Sequence, residues 1–244
     1  MDWSHELWHA AYNGDFDRVK EAIKQGADIR AIDAGALGFS AEKGHLEIVK
    51  CLVEWGVDIH AMDDWALRDA AKKGHLEIVK YLVEQGADIH TRDDWPLRYA
   101  AEEGHLDIVK YLVEQGADIH AYDYSFLIAS ARGHLEIAKH LTELGADIHA
   151  DNEWALRIAS RNGQYQVCQY LVSQGCDLQK VVDDKESSQE SKQWAVDFVK
   201  ARDLSNKLTN ELAEKPSKAD LLVSSINEDA PPPQKQTRST RQKI

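Results

Sequence analysis

Two series of glycines divide most of this chain of 244 residues into units of about thirty residues. The first series is Gly14, Gly44, Gly74, Gly104, Gly133 and Gly163. The second series follows twelve residues behind and comprises Gly26, Gly56, Gly86, Gly116, Gly145 and Gly175. A unit of this length cannot bury a hydrophobic core alone, so repeated units of this kind stack into a continuous solenoid.

Each unit has the pattern of two short helices. In the third unit, Leu76, Val79 and Leu82 recur at three-residue spacing, which places them on one face of an amphipathic helix. Gly86 stands where this helix has to stop, because glycine adopts the left-handed conformation without steric cost. A shorter helix with small residues precedes Gly74, and this glycine reverses the chain between the two helices.

The amino-acid sequence around the glycines resembles the ankyrin repeat. Residues 74–90 read GHLEIVKYLVEQGADIH, close to the GHLEIVKxLLxxGADVN segment of the family pattern, and similar text recurs six times over residues 3–179. The resemblance implies an all-α fold, an ankyrin-type α-solenoid of six stacked helix-turn-helix repeats. Beyond the repeats, the pattern of the residues themselves predicts a C-terminal helix and a disordered tail.

Two departures from the family pattern concern the start of each unit. The segment Trp65–Arg68 replaces the family's Thr-Pro-Leu-His, and the period is about three residues shorter than the family's ~33. The missing residues fall at Asp63–Trp65, where the family builds a β-hairpin finger, so we expect short or absent fingers. This short, tryptophan-bearing variant is similar to the ankyrin proteins of giant amoeba-infecting viruses and to those of bacterial effectors.

The pattern predicts three regions. Residues 1–179 are the ankyrin repeat domain, residues 180–216 a linker with a C-terminal amphipathic helix, and residues 217–244 a disordered polar and basic tail. A capping box at Ser187–Glu190 begins the helix and Pro216 ends it, and the helix either docks on the sixth repeat or binds a partner. The repeats span approximately residues 3–32, 33–62, 63–92, 93–122, 123–151 and 152–179.

The charge and the cysteines limit the class of protein. The net charge is −13, and residues 1–179 hold 31 Asp and Glu against 17 Lys and Arg. An acidic body repels phosphate backbones, so nucleic acid is not the default partner. No apolar run reaches the ~20 residues of a membrane span. Three cysteines without a Cys-x-x-Cys pair are typical of a protein in a reducing compartment. We therefore expect a monomer that resides in the cytoplasm, either of its own cell or of a host cell.

Motifs that carry chemistry are missing from the sequence, so we expect a non-enzymatic protein without catalytic, cofactor or metal residues. Histidines recur at the repeat period in two series. The first is His45, His75, His105 and His134, and the second is His60, His90, His120 and His149. Stacked helices lie ~8–10 Å apart, whereas zinc needs nitrogen ligands at ~2.0–2.1 Å. Consecutive histidines therefore cannot share an ion. The resemblance assigns the first series to helix starts and the second to the loop network.

Two sets of residues are candidates for binding a partner protein. An aromatic ring recurs just before the first helix of four units, where it either fills the space of the shortened finger and packs on its neighbours, or anchors a partner. The residues before the first glycine vary between units, and the matching positions of ankyrin proteins lie on the concave face. The candidates are Trp65, Trp95, Tyr124 and Trp154, together with Glu42, Lys43, Lys72, Lys73, Tyr99, Glu102, Glu103, Arg132 and Arg161.

These features predict a scaffold or adaptor that binds a protein through the concave face of the stack. We expect that face to be acidic, which suits a partner with a basic patch. The alternative is a pathogen-encoded effector or host-interaction factor, whose repeats capture a host protein and whose tail supplies targeting. The basic end of the tail fits either a solvated terminus or binding to phosphate, membrane or a transport receptor.

Overall fold

The computed structural model describes residues 2–28, 33–121 and 124–213. It divides into two compact units, Met1–Ala195 and Val196–Ile244. In the second unit, residues 196–213 are helical, and Leu204 and Leu208 are exposed. The predicted tail at 217–244, on which the effector alternative depends, lies outside the described residues, as does Pro216. No helix among the described residues is long and apolar enough to cross a membrane.

The described residues form fourteen helices and no β-strand, which confirms the predicted all-α solenoid. Twelve helices make six helix-turn-helix pairs, one for each repeat. The first helices are α1 Trp3–Asn13, α3 Asp33–Lys43, α5 Ala61–Lys73, α7 Thr91–Glu103, α9 Tyr124–Arg132 and α11 Ala150–Arg161. The second helices are α2 Phe16–Lys24, α4 Leu46–Glu54, α6 Leu76–Glu84, α8 Leu106–Glu114, α10 Leu135–Glu143 and α12 Tyr165–Ser173. Helices α13 Gln179–Asp183 and α14 Gln189–Ala213 follow.

The first helices pack more closely on one another than the second helices do. Their buried positions hold small residues, such as Ala70 and Ala71 of α5, beside the fully buried Leu67. Alanine lets two helix backbones approach, while the second helices keep larger residues, such as Val79 and Leu82, between them. The outward side chains of the first helices therefore form one continuous surface, which we call the first-helix face.

Short left-handed turns stand where ankyrin repeats build their fingers. Met62, Asp63 and Asp64 all have positive φ angles, of 54°, 57° and 52°. This conformation costs a non-glycine residue roughly 1–2 kcal/mol, and Asp and Asn tolerate it best. The same turn recurs at Arg92, Asp93 and Asp94 and at Asp151, Asn152 and Glu153. The predicted loss of the fingers is thus confirmed for these repeats.

A buried carboxylate at the end of each turn ties two loops together. Asp94 is 5 % exposed, and its Oδ1 accepts hydrogen bonds from His90 Nδ1 at 3.0 Å and from the Asp118 backbone N–H at 3.1 Å. Equivalent bonds join His60, Asp64 and Asp88, and His149, Glu153 and Asp177. The second histidine series therefore belongs to the loop network, as the family resemblance implied.

The first histidine series joins each repeat to the repeat before it. The Nε2–H of His105 donates to the carbonyl of Lys72 at 3.0 Å, and its ring covers Gly74 so closely that an added Cβ would lie 2.6 Å away. His105 is the N-cap residue of α8, as the resemblance implied, although its side chain makes no capping hydrogen bond. The same backward bond joins His45 to Tyr12, His75 to Glu42 and His134 to Glu102.

Residues after the repeats cover the end of the sixth repeat. The cap of α14 is Ser188, one residue after Ser187, the first residue of the predicted capping box; its hydroxyl accepts the Ser191 N–H at 3.0 Å. The Ser191 hydroxyl donates to the Ser160 carbonyl at 2.8 Å, and the ring of Trp194 stacks on Tyr165 with centroids 4.6 Å apart. The start of α14 therefore docks on repeat 6, the first of the two placements that the sequence left open.

Arg161 holds the segment that leads into α14. Its guanidinium makes two hydrogen bonds to the Asp184 carboxylate, at 2.7 and 2.8 Å, and a third to Glu186. The side chains of Arg161 and Asp184 are only 15 % and 7 % exposed. The guanidinium hydrogen bonds lower the pKa of Asp184 well below its usual range.

The buried carboxylate can be tested against a neighbour in the same conformation. We expect Asp94→Ala to lower the free energy of unfolding by about 1–3 kcal/mol more than Asp93→Ala, because it leaves buried donors without an acceptor. Both residues have φ 59°, but Asp93 is exposed, so the comparison cancels the effect on the turn itself. Urea unfolding followed by circular dichroism measures the difference. Equal losses would show that the carboxylate does not hold the loops together.

The ion pair of Arg161 predicts a stability change that depends on pH. We expect Arg161→Ala to cost about 2 kcal/mol at pH 7, and Arg132→Ala, which breaks a largely exposed pair with Glu102, less than about 1 kcal/mol. Since the folded-state pKa of Asp184 is lowered, its contribution is present above the unfolded-state pKa of ~3.9 and is lost as pH falls below it. The Arg161→Ala effect should therefore shrink in acid. An effect that stays constant down to acid pH in chemical denaturation would contradict this.

Candidate functional site

Aromatic rings cluster on the first-helix face of the first three repeats. Trp8 stacks on Tyr12 with centroids 5.7 Å apart, and Phe39 lies within 5.5 Å of both. Phe39 also meets the ring of Trp65, at 5.1 Å. Gly38 makes room for that indole, since a Cβ there would lie 2.6 Å from the ring. The sequence reasoning selected only Trp65 from this cluster, although the four-residue spacing of Trp8 and Tyr12 on one helix was visible.

Arginines connect the rings of the middle repeats. The Arg68 guanidinium lies 5.4 Å from the centroid of Trp95, in the next repeat. Arg98 lies 5.9 Å from Trp95 and 3.7 Å from Tyr124, which is again one repeat further. Trp95 also meets Tyr99, at 5.6 Å. Cation–π contacts therefore join successive repeats here, with an arginine between the rings of neighbouring repeats.

The fourth predicted ring has a different environment. Both Arg157 and Arg161 lie 4.7 Å from the centroid of Trp154, on the same helix α11. Because Arg161 also binds Asp184, this end of the first-helix face belongs to the C-terminal cap. Trp154 and Arg161 are therefore less available to a partner than the candidates in the middle repeats.

The variable residues before the first glycines form a row of contacts between repeats. Lys72 Nζ lies 5.1 Å from the ring centroid of Tyr99, and Glu42 lies 3.7 Å from both Lys43 and Lys73. Lys43 Nζ lies 4.9 Å from the ring centroid of Tyr12, and Arg132 forms an ion pair with Glu102. The side chain of Glu103 is exposed. The structure therefore brings the predicted positions together on the first-helix face.

The first-helix face is not acidic, contrary to the expectation from net charge. Among the candidates, five side chains are basic and three are acidic. Arg68, Arg98 and Arg157 add further positive charge beside the rings. The excess negative charge lies elsewhere, for example at Glu77 and Glu84 of the second helix α6. Net charge alone does not give the charge of this face, because it does not say which side of a helix a residue occupies.

A cavity opens on this face between the first parts of α7 and α9. Its volume is about 230 Å³, and it is bordered by the Trp95 ring, the Arg98 guanidinium and the Tyr124 ring. Tyr124 is 38 % exposed, so an aromatic edge and a cation are both accessible there. The remaining lining residues are Asp93, Ala121 and Ser125. Such a cavity can receive one side chain of a partner rather than a whole metabolite.

The cysteines are poor nucleophiles in this environment. All three, Cys51, Cys168 and Cys176, are buried and free. Burial raises the pKa of the Cys51 thiol, and it raises the pKa of Cys168 and Cys176 to about 12. A thiol reacts as the thiolate, which is scarce at neutral pH under these conditions.

One group among the described residues has the composition of a metal site. A ring nitrogen of His149, a carboxylate oxygen of Glu153 and Sγ of Cys176 all lie within 4.8 Å of one another. The sequence reasoning missed this group because it compared histidines of successive repeats. The signal was available: Cys176 replaces the alanine that follows the second glycine in four of the other repeats.

The comparison with known proteins agrees with this architecture. The family model described as "Ankyrin repeats (3 copies)" matches residues 7–93, 65–123 and 97–182. No curated protein sequence was found to match the chain. Ankyrin repeats are in general protein–protein interaction modules, a role that a continuous first-helix face suits. The matches together span well over half of the sequence, and the chain therefore belongs to the ankyrin repeat family.

Proposed function

We propose that this protein is a non-enzymatic scaffold or adaptor, monomeric and cytoplasmic, that binds a partner protein through its first-helix face. The observation that carries this proposal is the row of half-exposed rings and arginines in the middle repeats, centred on Trp95, Arg98 and Tyr124. Tryptophan, tyrosine and arginine are the residues that contribute most to protein interfaces.

The chemistry of the face suits a partner segment with carboxylates and apolar or aromatic side chains. The Nε atoms of Arg68, Arg98 and Arg157 are buried and have no hydrogen-bond partner in the protein. These guanidiniums are held against rings, so they lose little conformational freedom when a carboxylate binds their outer nitrogens. This partner differs from the basic one that the net charge suggested.

The cavity beside Trp95 supplies the anchoring point. Its rings can surround an apolar or aromatic side chain of the partner, while Arg98 meets a neighbouring carboxylate. Lys72 and Lys73 lie one repeat earlier on the same face and extend the positive charge towards the N terminus. A partner segment that follows the face would therefore contact several repeats at once.

Charge reversal on the first-helix face, compared with charge reversal on the second helices, tests the proposal. We expect Lys72→Glu with Lys73→Glu to weaken partner binding by ~10-fold or more, since residues at the centre of an interface contribute ~2 kcal/mol. The matched control reverses Lys80 and Lys110 on the second helices α6 and α8, which changes the net charge equally.

Affinity purification with the full chain identifies the partners, and titration calorimetry then measures each affinity. Circular dichroism checks that both double variants keep the helical content of the parent. A partner that stays bound to the Lys72/Lys73 variant and is lost from the Lys80/Lys110 variant would overturn the assignment of the first-helix face.

A further inference from the structure

We propose that His149, Glu153 and Cys176 form a zinc(II) site where the fifth and sixth repeats meet. These residues come from three places in the chain: the loop before α11, the left-handed turn that begins it, and the loop after α12. The fold alone brings them together at the junction of repeats 5 and 6. The proposed site is independent of partner binding through the first-helix face.

The distances between the donor atoms suit a tetrahedral ion. His149 Nδ1 and Glu153 Oε1 lie 3.3 Å apart. Two ligands bound to zinc at ~2.0–2.1 Å in tetrahedral geometry are separated by about 3.3–3.4 Å. The three donor atoms all lie within 4.8 Å of one another, so small side-chain rotations complete the set.

The neighbouring repeats show what the cysteine adds. His90 and Asp94 form the same histidine–carboxylate pair, at 3.0 Å, but Ala117 occupies the position equivalent to Cys176. Ala117 is 7 % exposed and Cys176 is 4 % exposed, so the thiol fills an existing place without a change in burial. The substitution converts a repeated two-donor arrangement into one with three donors.

The surroundings hold the ligands in place and favour a cation. Glu153 Oε2 accepts the Asp177 N–H at 2.8 Å, which fixes the carboxylate while Oε1 faces His149. The carboxylates of Glu153 and Asp147 place negative charge around the Cys176 thiol. Zinc binds the thiolate, and the thiol proton passes to the solvent.

The donor types identify the metal and its remaining ligand. Zinc accepts nitrogen, oxygen and sulfur donors together, whereas magnesium and calcium prefer oxygen alone. The His149 side chain is 55 % exposed, so the fourth position faces solvent and takes a water molecule. Three protein ligands and one water make this a site with an open position, unlike closed structural zinc sites.

Metal titration of the full chain tests the proposal directly. The protein is reduced, freed of metal with a chelator, and titrated with zinc chloride by calorimetry, and with cobalt(II) by absorbance spectroscopy. We expect one equivalent of zinc to bind, and cobalt to give a sulfur-to-metal charge-transfer band. Cys176→Ala should abolish the band and weaken zinc binding more than ~100-fold, since losing an outer partner alone costs roughly 10–100-fold.

Two further variants make the result specific. Cys176→Ala introduces the alanine found at this position in other repeats and should keep the fold. The control Cys168→Val removes a different buried thiol, outside the proposed site, and should leave zinc binding unchanged. Asp94→Glu combined with Ala117→Cys copies the donor set into repeat 4 and should raise the stoichiometry to two. A stoichiometry that stays at one would contradict the claim that these three side chains suffice.

The exposed histidines provide the main competing explanation. His5 and His9 lie one helical turn apart on α1, with ring centroids 4.4 Å apart, and can bind zinc weakly without sulfur. Zinc binding that survives Cys176→Ala, or cobalt binding without the charge-transfer band, would therefore overturn the site. Loss of the site in Cys176→Ala with partner binding intact would separate it from the scaffold function.

Discussion

The contact on which the stack depends is a histidine ring lying over a glycine of the preceding repeat. His105 reaches back to the Lys72 carbonyl, and its ring takes the space that a Cβ at Gly74 would occupy. One residue thus satisfies a carbonyl at the end of a helix and fixes how closely two repeats approach. Because the same pair recurs from repeat to repeat, the spacing of the solenoid is set by a local rule rather than by the core alone.

The loops obey a second local rule, which compensates for the lost fingers. Three left-handed residues are unfavourable by themselves, yet the turn delivers Asp94 to a buried position where it accepts two hydrogen bonds. Aspartate and asparagine tolerate this conformation, and the carboxylate at the last position of each turn supplies the acceptor. The shortened period is therefore a change in how neighbouring loops are connected, and it leaves the helix pairs intact.

Much of the fold could be predicted from the sequence because its signals are local and repeated. The glycine periods, the apolar spacing of α6 and the loss of the fingers all follow from patterns within one unit. The role of His105 could not be read in this way, since its acceptor lies 33 residues earlier in the chain. The cation–π contacts of Arg98 and the charge of the first-helix face escaped for the same reason. A repeat shows which positions are equivalent, but not which side chains of neighbouring repeats meet.

Repetition also explains how a single substitution can give one repeat a chemistry that the others lack. Residues kept at several junctions, such as the histidine and carboxylate of the loop network at three of them, serve the scaffold, and they hold two polar donors at a defined distance. A third donor placed beside them inherits that geometry. Cys176 does this at the junction of repeats 5 and 6, where Ala87 and Ala117 leave the equivalent junctions without a third donor. The histidine–carboxylate pair that recurs between repeats is thus two thirds of a metal site, and one substitution at the adjacent position supplies the missing donor.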